Sequence, residues 1–208
     1  MPADPPPSPP QLAGCRVLVG VSGGIAAYKT CALVSALAQR GAEVHVVMTA
    51  AATRFVAPLT FETLSGHRVI TSLFDAPQDA DPQHIRLTDH ADLFVIAPAT
   101  ANIIAKIAAG LCDDALSTMV AAATCPFLIA PAMNDRMWGH PPVQENVSRL
   151  RALGYTLIGP AEGWLACRSV GPGRMVEPDE ILQEAVALLT PAPPAGGSSK
   201  ARGGDARR

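Results

Sequence analysis

Short apolar runs recur along the chain and alternate with longer stretches of helical spacing. Cys15-Arg16-Val17-Leu18-Val19-Gly20, Glu43-Val44-His45-Val46-Val47-Met48, Leu93-Phe94-Val95-Ile96-Ala97, Pro126-Phe127-Leu128-Ile129-Ala130 and Tyr155-Thr156-Leu157-Ile158 have the length and character of strands, most of them buried on both faces. Between them, residues 25–40 repeat their apolar positions with a helical period, and Gly41 stands where it would end a helix. Residues 49–55 and 60–65 read as short helices, the stretch from Thr100 as one long helix, 144–153 as a helix ended by Gly154, and 180–189 as a closing helix. Residues 69–74 read as an edge strand and 75–82 as a polar loop. The glycine-rich segment 159–178 reads as irregular and is long enough to serve as a flap. Strands alternating with helices predict an α/β chain, a Rossmann-like doubly wound parallel sheet in a single domain, with right-handed βαβ crossovers. Residues 1–13 and 191–208, rich in proline and polar residues, are expected to be disordered tails around a domain at 14–190.

Composition sharpens this picture. Of 208 residues, 49% are hydrophobic and 16% charged, which suits a sheet covered on both faces with apolar surface left for subunit contacts. Aromatic residues are only 4% and the net charge is −2, so neither a base-stacking platform nor a basic groove for nucleic acid is present. No apolar run reaches the length of a membrane span, and the amino end lacks the pattern of a signal peptide. The five cysteines, Cys15, Cys31, Cys112, Cys125 and Cys167, form no CxxC pair, so no metal site or disulfide framework is expected, and reduced thiols in a cytoplasm are the simplest reading.

Three stretches carry candidate chemistry. Gly20-Val21-Ser22-Gly23-Gly24 joins the first strand to the first helix, where glycines admit an anion to the backbone and Ser22 adds a hydroxyl. Its spacing is neither GxGxxG nor GxxxxGK[ST], and the second strand ends on Thr49 rather than the acidic residue that holds a dinucleotide ribose. A mononucleotide remains, and a flavin mononucleotide fits; taken by itself, the loop is better accounted for by a tight turn that needs glycine for packing. Ala97-Pro98-Ala99-Thr100-Ala101-Asn102 makes a second helix start, with Thr100 a good cap by type. Pro131-Ala132-Met133-Asn134-Asp135-Arg136-Met137-Trp138 follows a strand directly, where open α/β sheets place ligands. Asn134 there offers a donor and an acceptor, and Met133, Met137 and Trp138 offer apolar walls. A loop packed on a core edge would use the same residues.

Taken together, GVSGGIAAYK at 20–29, His84-Ile85-Arg86-Leu87, APATANIIAKIAAGLCDD at 97–114, PAMNDRMW at 131–138 and LACRSVGPGRMVEP at 165–178 resemble the homo-oligomeric flavin-containing cysteine decarboxylases, in family order across nearly all of 15–189. The resemblance implies a Rossmann-like flavoprotein built from trimers, as a homotrimer or dodecamer, with FMN at a subunit contact. It implies the reaction of coenzyme A biosynthesis that converts 4'-phosphopantothenoylcysteine to 4'-phosphopantetheine through a thioaldehyde and an enethiolate. It also implies roles for individual residues. His84 would be the general base, Cys167 the proton donor of the reductive step, and Asn134 the holder of the substrate carboxylate, with Met137 and Ala166 beside the substrate. Arg86 or Arg174 would meet the substrate phosphate, or either would form a surface ion pair. Ser22, Gly23, Gly24, Thr49, Phe55, Pro98, Ala99, Thr100, Ala101, Asn102, Ala132 and Met133 would surround FMN, although core packing explains Phe55 equally well. The chain departs from the family at Arg168-Ser169, where many relatives carry Gly-Asp. Two other readings share the fold. One is a peptidyl-cysteine decarboxylase of the lantibiotic type, which stops at the enethiol; the other is a regulatory binding subunit without catalysis. Because many bacterial members are fused to the ligase that makes their substrate, the chain reads as a stand-alone enzyme or as a truncated fusion.

Overall fold

Alternate residues of the central strands face two separate cores. In β1 (Arg16–Val21), Val17, Val19 and Val21 point into one apolar cluster and Leu18 into the other. In β3 (Leu93–Ala99), Leu93, Val95 and Ala97 share the first cluster, while Phe94, Ile96 and Ala99 share the second. A strand buried on both faces has no polar positions to alternate with, which is why these runs are continuously apolar. The computed structural model describes residues 11–74 and 83–190, without the side chains of Gln83 and His84.

Five parallel strands form the main sheet, in the order β2 (Glu43–Met48), β1, β3, β4 (Phe127–Pro131), β5 (Thr156–Leu157). This is a doubly wound order whose direction reverses between β1 and β3, so that a crevice opens beyond their carboxyl ends. The first cluster packs under α1 (Ala27–Gln39), α2 (Pro58–Ser65) and α8 (Pro178–Leu189). The second packs under α4 (Ala101–Ala109), α5 (Ala115–Ala122) and α7 (Pro141–Ala152). A doubly wound α/β sheet in a single domain is therefore observed as expected. Among the described residues, no helix is long and apolar enough to cross a membrane.

Several expectations are corrected. The long helix expected from Thr100 is two helices: Gly110 takes a left-handed φ of 69° and ends α4, and Asp114 caps a new start at α5. No strand forms over 69–74; only Ile70 bridges Val47 at the free edge of β2. Residues 159–178 are not irregular. They contain an antiparallel hairpin of β6 (Ala161–Trp164) and β7 (Val170–Arg174). A helix α3 (Gln83–Asp89) was not anticipated, and neither was the one-turn α6 (Asp135–Trp138) inside the apolar stretch after β4. Of the short helix expected at 49–55, only a 3-10 turn at Ala52–Arg54 forms. Leu12, placed in the amino-terminal tail by the sequence reading, is buried, and its amide donates to Arg40 O at 2.9 Å.

Candidate active site

The switch point between β1 and β3 is closed by one serine. Ser22 is buried, and its hydroxyl donates to Pro98 O at 2.7 Å and lies 3.1 Å from Thr100 Oγ1; the Thr100 amide donates back to Ser22 Oγ at 3.1 Å. The two helix starts are thereby locked beside each other. Thr100 caps α4 by accepting from the Ile103 amide, leaving the amides of Ala101 and Asn102 without an intrahelical acceptor. The start of α1 has no side-chain cap, and neither helix carries an acidic residue in its first turn. Two positive helix ends without a nearby carboxylate on their own first turns thus face one crevice. Gly23 has a steric reason to be glycine, because a Cβ there would collide with Ala51 in the turn after β2. Gly24 would meet only Thr100 Cγ2 and Pro98. Thr49 joins the turn through its amide, which donates to Val21 O at 3.0 Å, while its hydroxyl accepts from the Ala52 amide at 3.2 Å.

From this point a line of backbone contacts runs along the crevice. The Ala132 amide donates to Ala99 O at 2.9 Å, tying the end of β4 to that of β3. The next amide, Met133, donates to Gly173 O at 2.9 Å and so docks the hairpin on the sheet. Gly173, with φ at 143°, allows that approach, since a Cβ there would strike Met133 O. Asn134 then begins α6. Its Oδ1 accepts from the Arg136 amide at 2.9 Å, which leaves the amide nitrogen pointing away from the helix. That nitrogen donates to Cys167 Sγ at 3.0 Å. Ser169 Oγ lies 3.0 Å from the same sulfur and 3.5 Å from Asp135 Oδ1. Chiefly through the Ser169 hydroxyl, and further through Asn134, the exposed Cys167 thiol is held below the ordinary thiol range. Arg168 takes a left-handed φ of 65° between them.

The structure therefore joins Ser22, Thr100, Pro98, Ala99, Ala132, Met133, Asn134 and Cys167 into one connected line, with Gly23, Gly24 and Thr49 at its start. Phe55 and Met137 are each about half-exposed, at 49% and 48%, and Ala166 lies exposed in the hairpin turn. His84 falls in the first turn of α3, with its side chain outside the described residues, and Arg86 lies two residues further along the same helix. Arg174, at the end of β7, is 3.4 Å from Glu177, which also binds Lys29 of α1 at 2.8 Å. The Lys29 ammonium holds Glu177 below the usual carboxylate range. Arg174 Nε is buried without a partner among the described residues. The sequence reading missed Ser169, Asp135 and the Lys29–Glu177 pair as parts of the site. Lys29 and Glu177 nevertheless both fall inside the stretches that carried the resemblance, at the end of the first and near the end of the last.

The sequence matches the family described as Flavoprotein over residues 7–190. The chain belongs to this family. Within it, the coenzyme A biosynthesis bifunctional protein CoaBC of Bacillus subtilis (strain 168) is 53% identical over 168 residues, which are 81% of this chain and 41% of that protein. The protein of the same description from Escherichia coli (strain K12) is 46% identical over 180 residues, 86% of this chain and 44% of the relative. The chain thus spans less than half the length of these relatives. Among solved structures, the FMN-dependent cysteine decarboxylase SpaF has a TM-score of 0.76 at 37% identity, covering 86% of this chain and 98% of that one. A mutant PPC decarboxylase complexed with pantothenoylaminoethenethiol has a TM-score of 0.73 at 36% identity, covering 82% and 96%.

Proposed function

We propose that this chain carries out the FMN-dependent decarboxylation of 4'-phosphopantothenoylcysteine to 4'-phosphopantetheine in coenzyme A biosynthesis, and that it works in the cytoplasm as an oligomer built from trimers. The contact between Asn134 Nδ2 and Cys167 Sγ, 3.0 Å long, carries the reading. It puts an amide donor and an acidified thiol at one point of the crevice mouth, in a member of a flavin-binding family whose similar structures include cysteine decarboxylases.

The residues present fit FMN. The uncapped start of α1, the first-turn amides of α4 and the hydroxyls around Ser22 suit a phosphate, and the open side of Gly24 leaves room for it. Bound there, FMN supplies the two-electron oxidation of the cysteinyl side chain and the hydride of the final reduction. The chain's own residues do the rest. His84 takes a proton from the substrate side chain as general base. Asn134, its oxygen tied up in the cap of α6, turns only N–H donors toward the substrate carboxylate. A neutral amide orients that carboxylate without the strong cation that would resist loss of CO₂. Carbon dioxide leaves because the oxidised side chain accepts the electron pair of the breaking bond, giving an enethiolate. Cys167 then protonates the carbon that lost CO₂, and the product has gained and lost no net electrons. Arg174 or Arg86 meets the substrate phosphate. The proton donor separates this reading from that of a peptidyl-cysteine decarboxylase, which releases the enethiol and needs none.

Heat-denatured protein should release a yellow chromophore that chromatographs as FMN. The FMN-loaded chain should convert phosphopantothenoylcysteine to 4'-phosphopantetheine with release of CO₂. A chain that holds FMN and leaves this substrate unchanged contradicts the proposal.

A further inference from the structure

A second cluster of ionisable side chains lies at the amino end of β2, the end of the sheet away from the crevice. Glu43 and His45 stand two residues apart on one face of this edge strand. The segment after α2 runs back along the strand's free edge: the Ile70 amide donates to Val46 O at 2.9 Å and the Met48 amide to Ile70 O at 2.8 Å. Earlier in that segment, His67 lays its ring against His45, with centroids 4.2 Å apart. One nitrogen or oxygen from each of Glu43, His45 and His67 lies within 4.8 Å of the other two.

We propose that Glu43, His45 and His67 form a binding site for a zinc-class divalent cation, separate from the crevice. The orientation of His67 is the first argument. Its Nδ1 is 3.1 Å from Val44 O and 3.0 Å from Ser65 O. Carbonyl oxygens only accept, so Nδ1 carries a proton, and in the neutral ring the lone pair is on Nε2. A metal-bound imidazole is commonly held in this way, with its other N–H on a backbone carbonyl. Glu43 is arranged on the same plan. Arg16 Nε holds Glu43 Oε2 at 3.2 Å, and Oε1 turns to His45 Nε2 at 2.9 Å. On ligation, His45 Nε2 gives up its proton and the ring adopts the Nδ1–H tautomer.

Two imidazoles and one carboxylate select a borderline cation such as Zn²⁺ over Mg²⁺ or Ca²⁺, which take oxygen ligands. With bonds of about 2.0–2.1 Å, the ligand atoms of a tetrahedral zinc site stand roughly 3.3 Å apart. The cluster reaches that spacing by side-chain rotation, and Glu43 is exposed enough to move. A bound ion would staple the segment after α2 to the edge strand. The competing account is that His67 only covers Val44 O, an unpaired acceptor on a sheet edge.

Titration of the FMN-loaded chain with Zn²⁺ alone, followed by calorimetry at neutral pH, distinguishes the two. The expected result is one Zn²⁺ per chain, with affinity weakened about tenfold or more in both Glu43→Gln and His67→Gln, and unchanged in Cys167→Ser. Zn²⁺ should also raise the thermal unfolding midpoint of the parent, and raise it less in the two site variants, because it binds the folded state. Glu43→Gln alters an exposed side chain, so it keeps the test decisive if His67→Gln fails to fold. Absence of stoichiometric binding overturns the proposal. So does binding that survives Glu43→Gln intact, or that disappears in Cys167→Ser.

Discussion

Two polar side chains meet one sulfur at Cys167. Asn134 and Ser169 each lie 3.0 Å from Sγ, and hydrogen bonds to a thiolate stabilise it relative to the thiol. Because the Ser169 hydroxyl is the larger cause of the lowered pKa, Ser169→Ala should move it up. The rate of Cys167 alkylation by iodoacetamide should then rise with pH along a curve displaced to higher pH than in the parent, with peptide mapping to separate it from the exposed Cys112. A superimposable curve would mean that Ser169 does not set the ionisation. Residue types and family stretches placed Asn134 and Cys167, whereas the part played by Ser169 could not be read in advance. It depends on a tight hairpin turn, with the Arg168 amide donating to Leu165 O and the Leu165 amide to Ser169 O, that folds Ser169 back onto the sulfur.

The same limit operates between elements. The strands could be read to within a residue or two wherever they are buried on both faces, because burial leaves a continuous apolar signal. The break between α4 and α5 was hidden because apolar spacing continues through it, and the signals that matter there are single residues: Gly110, and the cap at Asp114. Asp114 accepts from the Ser117 amide at 2.8 Å and from Lys106 Nζ at 2.6 Å. Burial pushes its carboxyl up, but the bonds from Lys106 and Ser117 outweigh this and hold it below the usual carboxylate range. A depressed carboxyl stabilises the fold above its unfolded pKa and loses that contribution as pH falls through the folded value. Asp114→Ala should therefore cost about 1–2 kcal/mol at neutral pH, measured by urea unfolding. The deficit should shrink as the pH falls below about 4, the ordinary carboxylate value, toward the lower folded value at which the parent carboxyl takes up its proton. An unchanged midpoint at neutral pH would remove the cap from the account of this corner.

On the scale of the whole molecule, one chain leaves much apolar surface in water. Ile25 and Tyr28 at the start of α1 and Leu59 on α2 are exposed, as are Trp164 and Val170 of the hairpin, at 65% and 73%. Apolar surface on this scale argues for self-association, and light scattering should find a trimer or a multiple of it. A catalytically active monomer would contradict the assembly. The function itself rests on the order of events at the crevice. If Cys167 supplies the last proton, Cys167→Ser should still oxidise the substrate and release CO₂, then stall with reduced flavin, since a serine hydroxyl is too weak an acid to replace the thiol. Mass spectrometry of the product from parent and Cys167→Ser protein tests this directly. The parent is predicted to give 4'-phosphopantetheine, and the variant a product two hydrogens lighter. Fully reduced product from Cys167→Ser at the parent rate, or the lighter product from the parent itself, would contradict the account.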